Sequence, residues 1–395
     1  MITGWKRLCA RSGPALALFL ASCAGQAGPA TGCHGGWHVQ TGPADARASN
    51  ELFGVSGAAP RDVWAVGVSL PLAGLSRGPA RTLVERWQGR AWRTVPSPDR
   101  PSGGSFLNAV VAVSASDAWA VGLSRSPGGP ARTLIMHWDG RRWVITASPN
   151  AGSGDNSLVS VAAASARDVW AVGYRDADGV YRSLAEHWDG HRWTIARLPR
   201  LGGPGNGLNA VDVAASGVVW AVGGSAPARG PSQPLVLRLD KRSWSSVPAP
   251  ASLHSATLNG VAAWGRRVAW AVGATRSSGG DRVFSLGTEG RNWHVVSIDP
   301  ADALSTDLNA LWGAGPDDVW AVGSSFDGRW YRPLVEHGAD GKWSSIPVPG
   351  TPGYDSRLMA VAGSGGGELW AVGSTSRGAG PERVLILHRC ASSPS

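Results

Sequence analysis

The sequence is poor in the residues and patterns on which several large protein classes depend. Its 395 residues include only four cysteines, four tyrosines and three methionines. Beyond the N-terminal segment, no stretch keeps a helical period over the length that a helix needs, which argues against a helical fold. No Ser-His-Asp set, phosphate-binding loop or dinucleotide fingerprint is present, so those catalytic and nucleotide-binding classes are not indicated.

What the sequence has instead is a repeat. The tetrapeptide Trp-Ala-Val-Gly occurs seven times, with steps of 55, 51, 50, 50, 50 and 50 residues between copies. A leucine precedes each copy by 12 residues, and a second tryptophan follows six of the copies by 23 to 28 residues. A fixed period of this size is typical of repeat architectures. The copies begin at Trp64, Trp119, Trp170, Trp220, Trp270, Trp320 and Trp370.

Each repeat is predicted to form four short strands. In the second repeat these are residues 107–113, 117–122, 133–138 and 142–146, which are rich in β-branched and aromatic residues and are separated by Gly, Pro, Asp and Ser. Four strands per repeat, about 50 residues per repeat and seven repeats predict an all-β fold, a seven-bladed β-propeller with four antiparallel strands per blade.

The two ends of the chain are predicted to close the ring. The last repeat stops after its third strand, whereas Trp37 stands 15 residues before Leu52, the interval found between the second tryptophan and the next leucine elsewhere. The N-terminal strand is therefore expected to complete the last blade. Cys33 and Cys390 fall at the same interrupted turn, which predicts a disulfide between them; two unrelated thiols are the alternative.

The N-terminal segment has the pattern of an export signal. Residues 1–22 combine Lys6, Arg7 and Arg11 with an apolar core too short to span a bilayer. The following Leu-Ala-Ser-Cys23 resembles the lipobox of bacterial lipoproteins, which implies that Cys23 is diacylated and becomes the first residue after cleavage. The predicted domains are a lipoprotein signal peptide (1–22), a lipid-attachment linker (23–36) and a propeller (37–395). The exported protein is expected to be anchored by its lipid at the outer face of the bacterial cell membrane. Simple secretion is the alternative.

The repeats resemble two groups of known propellers. The hairpins His137-Trp-Asp-Gly-Arg-Arg-Trp143 and His187-Trp-Asp-Gly-His-Arg-Trp193 resemble a shortened Asp-box of the bacterial neuraminidase repeat. The stretch Ser-Ala-x-Asp-Val-Trp-Ala-Val-Gly is similar to repeats of exported bacterial propellers grouped with kelch and galactose-oxidase-like proteins. The resemblance covers the whole ring and implies the fold, whereas it assigns no catalytic residue.

Candidate chemistry is sparse. His137, His187, His337 and His388 occupy one equivalent position on different blades, too far apart to share a metal ion, so neither a metal site nor a cofactor is expected. The Asp in Ser-Ala-x-Asp is expected to accept backbone N–H groups and fix a tight turn. The tyrosines Tyr174, Tyr181, Tyr331 and Tyr354 are all expected in loops, and no catalytic roles follow from their spacing.

Recognition is therefore expected on the face that carries the long connections. The richest loops are predicted at 174–182 and 326–332, and acidic or basic residues are expected around the channel mouth. The candidate binding residues are Glu51, Asp155, Asn156, Asp307, Asp355, Arg357, Tyr181, Arg182, Trp330, Tyr331 and Arg332. Loop aromatics that fold back onto their own blade are an equal alternative to exposed aromatics.

The net charge and the predicted location limit the classes of binding partner that are expected. The net charge of +9 falls to +6 when the three basic residues of the signal peptide are removed. Contact with an anionic bilayer or cell-wall polymer would be favoured, and nucleic acid is not expected outside the cell. The first hypothesis is a monomeric, non-enzymatic scaffold that binds an envelope protein or glycan. The alternatives are a propeller glycoside hydrolase or polysaccharide lyase, and a purely architectural role.

Overall fold

The computed structural model describes residues 36–391 apart from 44–47, 73–77, 101–102, 202, 204, 228–229, 242, 290–291 and 300–302. Within this part every helix or strand element is a β-strand, and the strands form seven four-stranded antiparallel sheets. No helix of the described residues has the length and apolarity to span a membrane. Residues 1–35, with Cys23 and Cys33, lie outside the described part, so the signal peptide, the linker and the disulfide stay predictions.

The strands are numbered in chain order, and each blade is built from consecutive strands. β1 is Trp37–Gln40. Blade 1 holds β2 (Ala48–Ala59), β3 (Asp62–Pro71), β4 (Arg81–Trp87) and β5 (Trp92–Thr94); blade 2 holds β6 (Gly104–Ser114), β7 (Asp117–Arg125), β8 (Ala131–Trp138) and β9 (Trp143–Thr146). Blade 3 holds β10 (Asn156–Ser165), β11 (Asp168–Ala177), β12 (Val180–Trp188) and β13 (Trp193–Ile195).

The remaining blades follow the same order. Blade 4 holds β14 (Gly205–Val213), β15 (Val219–Ala226), β16 (Gln233–Asp240) and β17 (Ser243–Ser246); blade 5 holds β18 (Ala256–Ala263), β19 (Val268–Thr275), β20 (Arg282–Glu289) and β21 (Asn292–Val296). Blade 6 holds β22 (Ser305–Gly315), β23 (Asp318–Phe326), β24 (Tyr331–Ala339) and β25 (Lys342–Ser345). Blade 7 holds β26 (Asp355–Gly365), β27 (Glu368–Ser376) and β28 (Arg383–Arg389).

The predicted ring closure is confirmed. β1 is the outer strand of blade 7 and pairs antiparallel with β28, so that Trp37 is opposite Arg389 and Gln40 is opposite Ile386. The innermost strands of successive blades contact one another, and β26 of blade 7 contacts β2 of blade 1. The seven-bladed propeller predicted from the repeats is therefore the observed fold.

A β-bulge explains why the repeated motif ends in glycine. In every blade the pairing of the first two strands shifts register directly after the conserved leucine, as between Leu107 and Ala109. The bulge brings the first strand very close to the glycine on the second strand. A Cβ on Gly122 would therefore collide with the carbonyl oxygen of Phe106. The same collision would occur at the last residue of all seven motifs, so only glycine fits there.

The bulged residue joins neighbouring blades. In four blades it is an asparagine whose side-chain amide donates to the carbonyl of the conserved leucine in the next blade. The four bonds are Asn108 to Leu158 at 2.7 Å, Asn209 to Leu258 at 2.9 Å, Asn259 to Leu308 at 2.9 Å and Asn309 to Leu358 at 2.8 Å. They satisfy a carbonyl of each bulge and fix the spacing of the inner strands.

Tryptophans fill the space between blades. The first tryptophan of each repeat contacts the fourth-strand tryptophan of the following blade, as in Trp64 with Trp143 at 5.1 Å between ring centroids. The same contact closes the ring, because Trp320 meets Trp37 edge-on at 6.0 Å. Both members of the closing pair are buried. Tryptophan pairs of this kind therefore pack each blade against the next.

Two predicted loops are wrong. The segment 174–182 is a hairpin, because β11 continues to Ala177 and β12 starts at Val180. Asp178 and Gly179 both have positive φ, 59° and 80°, which is the two-residue turn that matches strand twist. Tyr174 and Tyr181 thus lie on strands.

The loop predicted at 326–332 is also shorter in the structure. β23 ends at Phe326 and β24 starts at Tyr331. The Asp327 carboxylate accepts the N–H groups of Arg329 and Trp330, which tightens the turn. Tyr331 therefore lies on a strand, and of the four tyrosines only Tyr354 lies between strands, as predicted.

Replacing Trp37 by alanine should destabilise the whole ring. Trp37 is 4% exposed and packs on Trp320, so the change leaves a large cavity at the closing strand. We expect a loss of about 3–5 kcal/mol in the free energy of unfolding by urea titration. The control is Val39→Ala on the same strand, 51% exposed, which should cost less than about 1 kcal/mol. Similar losses for both variants would contradict closure through this strand.

Candidate functional site

The two faces of the ring differ in their connections. The links between second and third strands and those between blades emerge on one face, here called the loop face, whereas the opposite short-turn face carries the remaining turns. The channel between the inner strands encloses only about 190 Å³ and is lined by the bulged asparagines. Two larger cavities, of about 650 and 480 Å³, lie outside the channel at blades 3 to 5 and share Arg200 and Leu201.

Two of the predicted channel-mouth acids hold blades together. The Asp155 carboxylate accepts the N–H of Ala131 in the preceding blade at 2.7 Å and an Arg125 bond at 2.6 Å. The backbone bond from Ala131 is the main reason that the pKa of Asp155 lies below its ordinary value. Asp355 likewise accepts the N–H of Tyr331 at 2.9 Å. Asn156 is buried and bonds within the same connection, to Ala151.

The other two predicted acids each have a raised pKa. Burial raises the pKa of Glu51, and the neighbouring Glu382 raises it further while Arg357 lowers it. Burial and then Asp281 raise the pKa of Asp307. Both Glu51 and Asp307 directly precede a conserved leucine on an inner strand. The loop face therefore carries two places where a carboxyl is more easily protonated than usual.

The predicted aromatic cluster of blade 6 is engaged within the protein. The Arg357 guanidinium lies 3.8 Å from the centroid of the Tyr331 ring, and the centroids of the Phe326 and Tyr331 rings are 5.0 Å apart. Arg332 pairs with Asp327 at 3.0 Å. Trp330 is half-buried. The contacts of Tyr331 with Arg357 and Asp355 bind the hairpin to blade 7 and leave less free surface than an exposed loop would offer.

The predicted residues of blade 3 stand beside the smaller of the two cavities. Arg182 lines the cavity of about 480 Å³ together with Arg175, Arg200 and Asn206. Tyr181 is 56% exposed near the hairpin tip and contacts Tyr174 at 4.9 Å. Arg175 and Arg200 were not among the sequence-based candidates. Their signal lies in the alignment of the repeats, since Arg175 occupies a position that is Ser or Thr in every other blade.

The conserved aspartates of the short-turn face do not act as predicted. Their expected partners were backbone N–H groups, yet the carboxylate of Asp117 contacts His137 Nε2 at 2.8 Å, and Asp168 and Asp318 contact His187 and His337 in the same way. The cause is the register, which places each histidine opposite the motif tryptophan, on whose ring it stacks. In blade 1, Arg86 replaces histidine and binds Asp62 at 2.6 Å.

These histidines stay on separate blades. Among residues 36–391 as described, no group of three or more His, Cys, Asp or Glu side chains is arranged to hold a metal ion. Each histidine instead stacks on a tryptophan ring of its own blade and contacts a carboxylate of the same blade. His388, on Trp370 at 4.0 Å, is buried, and this burial lowers its pKa to about 4.

Three glutamates are buried at one equivalent position on the third strand. Glu85, Glu186 and Glu336 are each 1% exposed or less. Burial raises the pKa of Glu85 and of Glu186 to about 8, and it also raises that of Glu336. Ser148 and Ser345 donate to Glu186 and Glu336, whereas one oxygen each of Glu85 and Glu186 has no hydrogen-bond partner. Glu85 and Glu186 are therefore mostly neutral near pH 7.

No protein-family model matches the chain. No curated protein matches it either. Solved structures do: the structure of YCF48 bound to a D1 peptide is 14% identical, with 91% of this chain and 98% of that chain covered and a TM-score of 0.55.

Two further structures are similar. A Dyadobacter fermentans DSM 18053 protein of unknown function is 10% identical over 90% of this chain and 98% of that chain, with a TM-score of 0.51. A Trypanosoma rangeli sialidase is 11% identical over 88% of this chain and 55% of that chain, and its TM-score of 0.44 is too low to support an argument. The similarities to YCF48 and to the Dyadobacter fermentans protein show a shared fold.

Replacing Glu186 by glutamine should flatten the pH dependence of stability. The pKa of Glu186 is about 8 in the folded chain and near 4.5 when unfolded. Because the unfolded chain ionises first, stability falls as pH rises from about 4.5 to 8, by an amount on the order of a few kcal/mol. Urea midpoints at pH 5 and pH 8 should differ less in Glu186→Gln than in the wild type.

The matched control for this prediction is Asp189→Asn. Asp189 is exposed, and backbone bonds lower its pKa, so it stays ionised throughout that pH range. The control should keep the wild-type difference between the two midpoints. An unchanged difference in Glu186→Gln would show that this carboxyl is not held neutral.

Proposed function

We infer that this protein is a membrane-tethered, extracytoplasmic binding scaffold that recognises a protein partner or a glycan through its loop face. The observation that carries the proposal is the pair of adjoining cavities on that face, of about 650 and 480 Å³. Clefts of this size on a rigid framework suit recognition of a ligand or a peptide segment. YCF48, whose propeller is similar in fold, is bound to a D1 peptide in its solved structure, and peptide recognition by this chain is part of the proposal.

A propeller glycoside hydrolase or polysaccharide lyase is the second candidate. It is favoured by Glu51 and Asp307, because burial raises the pKa of each carboxyl and a second acidic residue, Glu382 or Asp281, raises it further. Glycoside hydrolysis requires two carboxyl groups about 5–10 Å apart, one of which is protonated at the working pH. The loss of glycan cleavage in Glu51→Gln or Asp307→Asn would support this candidate over the binding scaffold.

The tether is proposed from the N-terminal sequence. Acylation of Cys23 would anchor the chain without a membrane-spanning helix. A disulfide between Cys33 and Cys390 would join the two ends of the ring covalently, since Cys390 directly follows β28, the strand that pairs with β1. Two acyl chains on one cysteine give stable membrane attachment.

A photo-reactive amino acid should locate the recognition face in intact cells. Placed at Tyr181, near the tip of the blade 3 hairpin on the loop face, it should give a discrete cross-linked product on denaturing gels. Placed at Arg141, an exposed residue of the short-turn face, it should give none. The comparison uses two surface positions, so folding is unaffected. Products of equal yield from Arg141, or from neither position, would argue against loop-face recognition.

Replacing Cys23 by serine should release the protein from the membrane. A serine cannot carry the thioether-linked lipid, so fractionation should move the chain from the membrane to the soluble exported fraction. A clickable fatty acid should label the wild type and not the variant. Cys9→Ser, inside the predicted signal peptide, is the matched control and should keep both label and location. Membrane retention with label in Cys23→Ser would contradict the anchor.

A further inference from the structure

The repeats provide a reference against which unusual residues of one blade stand out. The residue five positions after the motif tryptophan is Ser69, Ser124, Ser225, Thr275, Ser325 or Thr375 in six blades and Arg175 in blade 3. Seven positions after the fourth-strand tryptophan, blade 1 has Asp99 and blade 2 has Asn150, whereas blade 3 has Arg200. Blade 3 therefore carries an extra arginine at two positions that are small or polar elsewhere.

Both departures fall in one cleft. Arg175 and Arg200 line the cavity of about 480 Å³ together with Arg182. In blades 1 and 2, Asp99 and Asn150 accept the N–H of Thr82 and Thr133 on the third strand. In blade 3 this backbone bond is kept by a different residue, Asn206, which accepts from Ser183 at 2.8 Å. In blade 3 the backbone bond to the third strand therefore does not depend on Arg200, although the residue at this position makes that bond in blades 1 and 2.

The arrangement of the arginines is unfavourable in the free protein. Arg175 is directly opposite Arg182 in the β11–β12 pair, and like charges at opposite positions destabilise a sheet. Among the described residues, none of the three arginines is ion-paired, and no carboxylate lines the cleft. Arg182 donates to the carbonyl of Gly203 at 3.0 Å, which orients it without neutralising it. Their repulsion would be relieved by an anionic ligand.

The rest of the cleft indicates what carries the anion. Its wall is aliphatic, formed by Leu184, Ile195, Leu198 and Leu201, and Ile195 is 43% exposed. Hydroxyls of a polysaccharide would lose water against such a wall without gaining hydrogen bonds. A bare phosphate would leave the wall uncovered. A peptide with aliphatic and acidic side chains matches both parts, because it can bury apolar surface and pair with the arginines.

We propose that the Arg175–Arg182–Arg200 cleft binds an acidic, aliphatic peptide segment of a partner protein. This assignment rests on the proposed loop-face function and names its ligand class. The carboxylates of the segment pair with the guanidinium groups, and its aliphatic side chains cover Leu198 and Leu201. The adjoining cavity of about 650 Å³, which shares Arg200 and is lined by Pro248 and Pro250, extends the surface along which the segment continues.

The test restores in blade 3 the residues of the other blades. The variant is Arg175→Ser plus Arg200→Asn, and the control Arg141→Ser plus Arg192→Asn removes the same charge from exposed positions of the short-turn face. The probe is the capped peptide Gly-Leu-Glu-Leu-Glu-Gly carrying a fluorophore, followed by anisotropy. The expected result is binding by wild type and control, and a loss of about tenfold or more in the variant.

Competitors identify the ligand class. The same peptide with glutamine in place of glutamate should bind about tenfold or more weakly than the glutamate peptide. Inorganic phosphate and an oligogalacturonate should compete poorly. Equal binding of the glutamate and glutamine peptides, or tighter binding of either competitor than of the peptide, would overturn the assignment. If the Tyr181 cross-link is retained in the variant, the loop-face function stands while this cleft is excluded.

Stability supplies an independent readout. Removing Arg175 relieves a like-charge contact, so Arg175→Ser should raise the thermal midpoint of the free protein by about 1–3 °C at low salt. A purely structural arginine would instead lower the midpoint on removal. The combination of a more stable free protein and weaker peptide binding is expected only for a binding residue. A lowered midpoint would count against the proposal, even if peptide binding also fell.

Discussion

The pairing of β1 with β28 is the interaction on which the remaining structure depends. Seven blades that each cover only their neighbours would otherwise end in two exposed sheet edges and two uncovered blade faces. Four residues from one end of the chain complete the sheet begun at the other, and Trp37 then meets Trp320 as every other inter-blade pair of tryptophans meets. Closure therefore makes the last interface equivalent to the other six.

The repeats made the fold predictable, because the spacings between repeated residues correspond to the positions of strands within and between blades. The interval from Trp37 to Leu52 placed the closing strand, whereas the bulge that requires the motif glycine became visible only in the structure. Side-chain partners were less predictable. The pattern could not show that Asp117 contacts His137 across the pair, or that Asp178 and Gly179 continue two strands into a hairpin. Those outcomes depend on register and φ, which one sequence does not display.

The buried glutamates show what the blades tolerate. Their position is Met136 in blade 2 and a leucine in blades 4, 5 and 7, so an apolar side chain fits there equally. Burial without a complete set of donors costs stability whenever the carboxyl would ionise. Glu85 and Glu186 are mostly neutral near pH 7, which reduces that cost. The hydroxyls of Ser148 and Ser345 reduce it for Glu186 and Glu336. Tryptophan packing therefore stabilises the interfaces between blades enough for these buried carboxyls to be retained.

Departures from the repeat differ in whether their neighbours compensate for them. Between blades 6 and 7, Trp312 packs on Gly363, and Arg389 takes a tryptophan position but stacks over Trp320 at 4.8 Å. Each change there is matched by a second change inside the protein. At Arg175 no such match exists among the described residues, because its opposite neighbour is another arginine. An uncompensated charge within a regular repeat indicates that its partner comes from outside the chain.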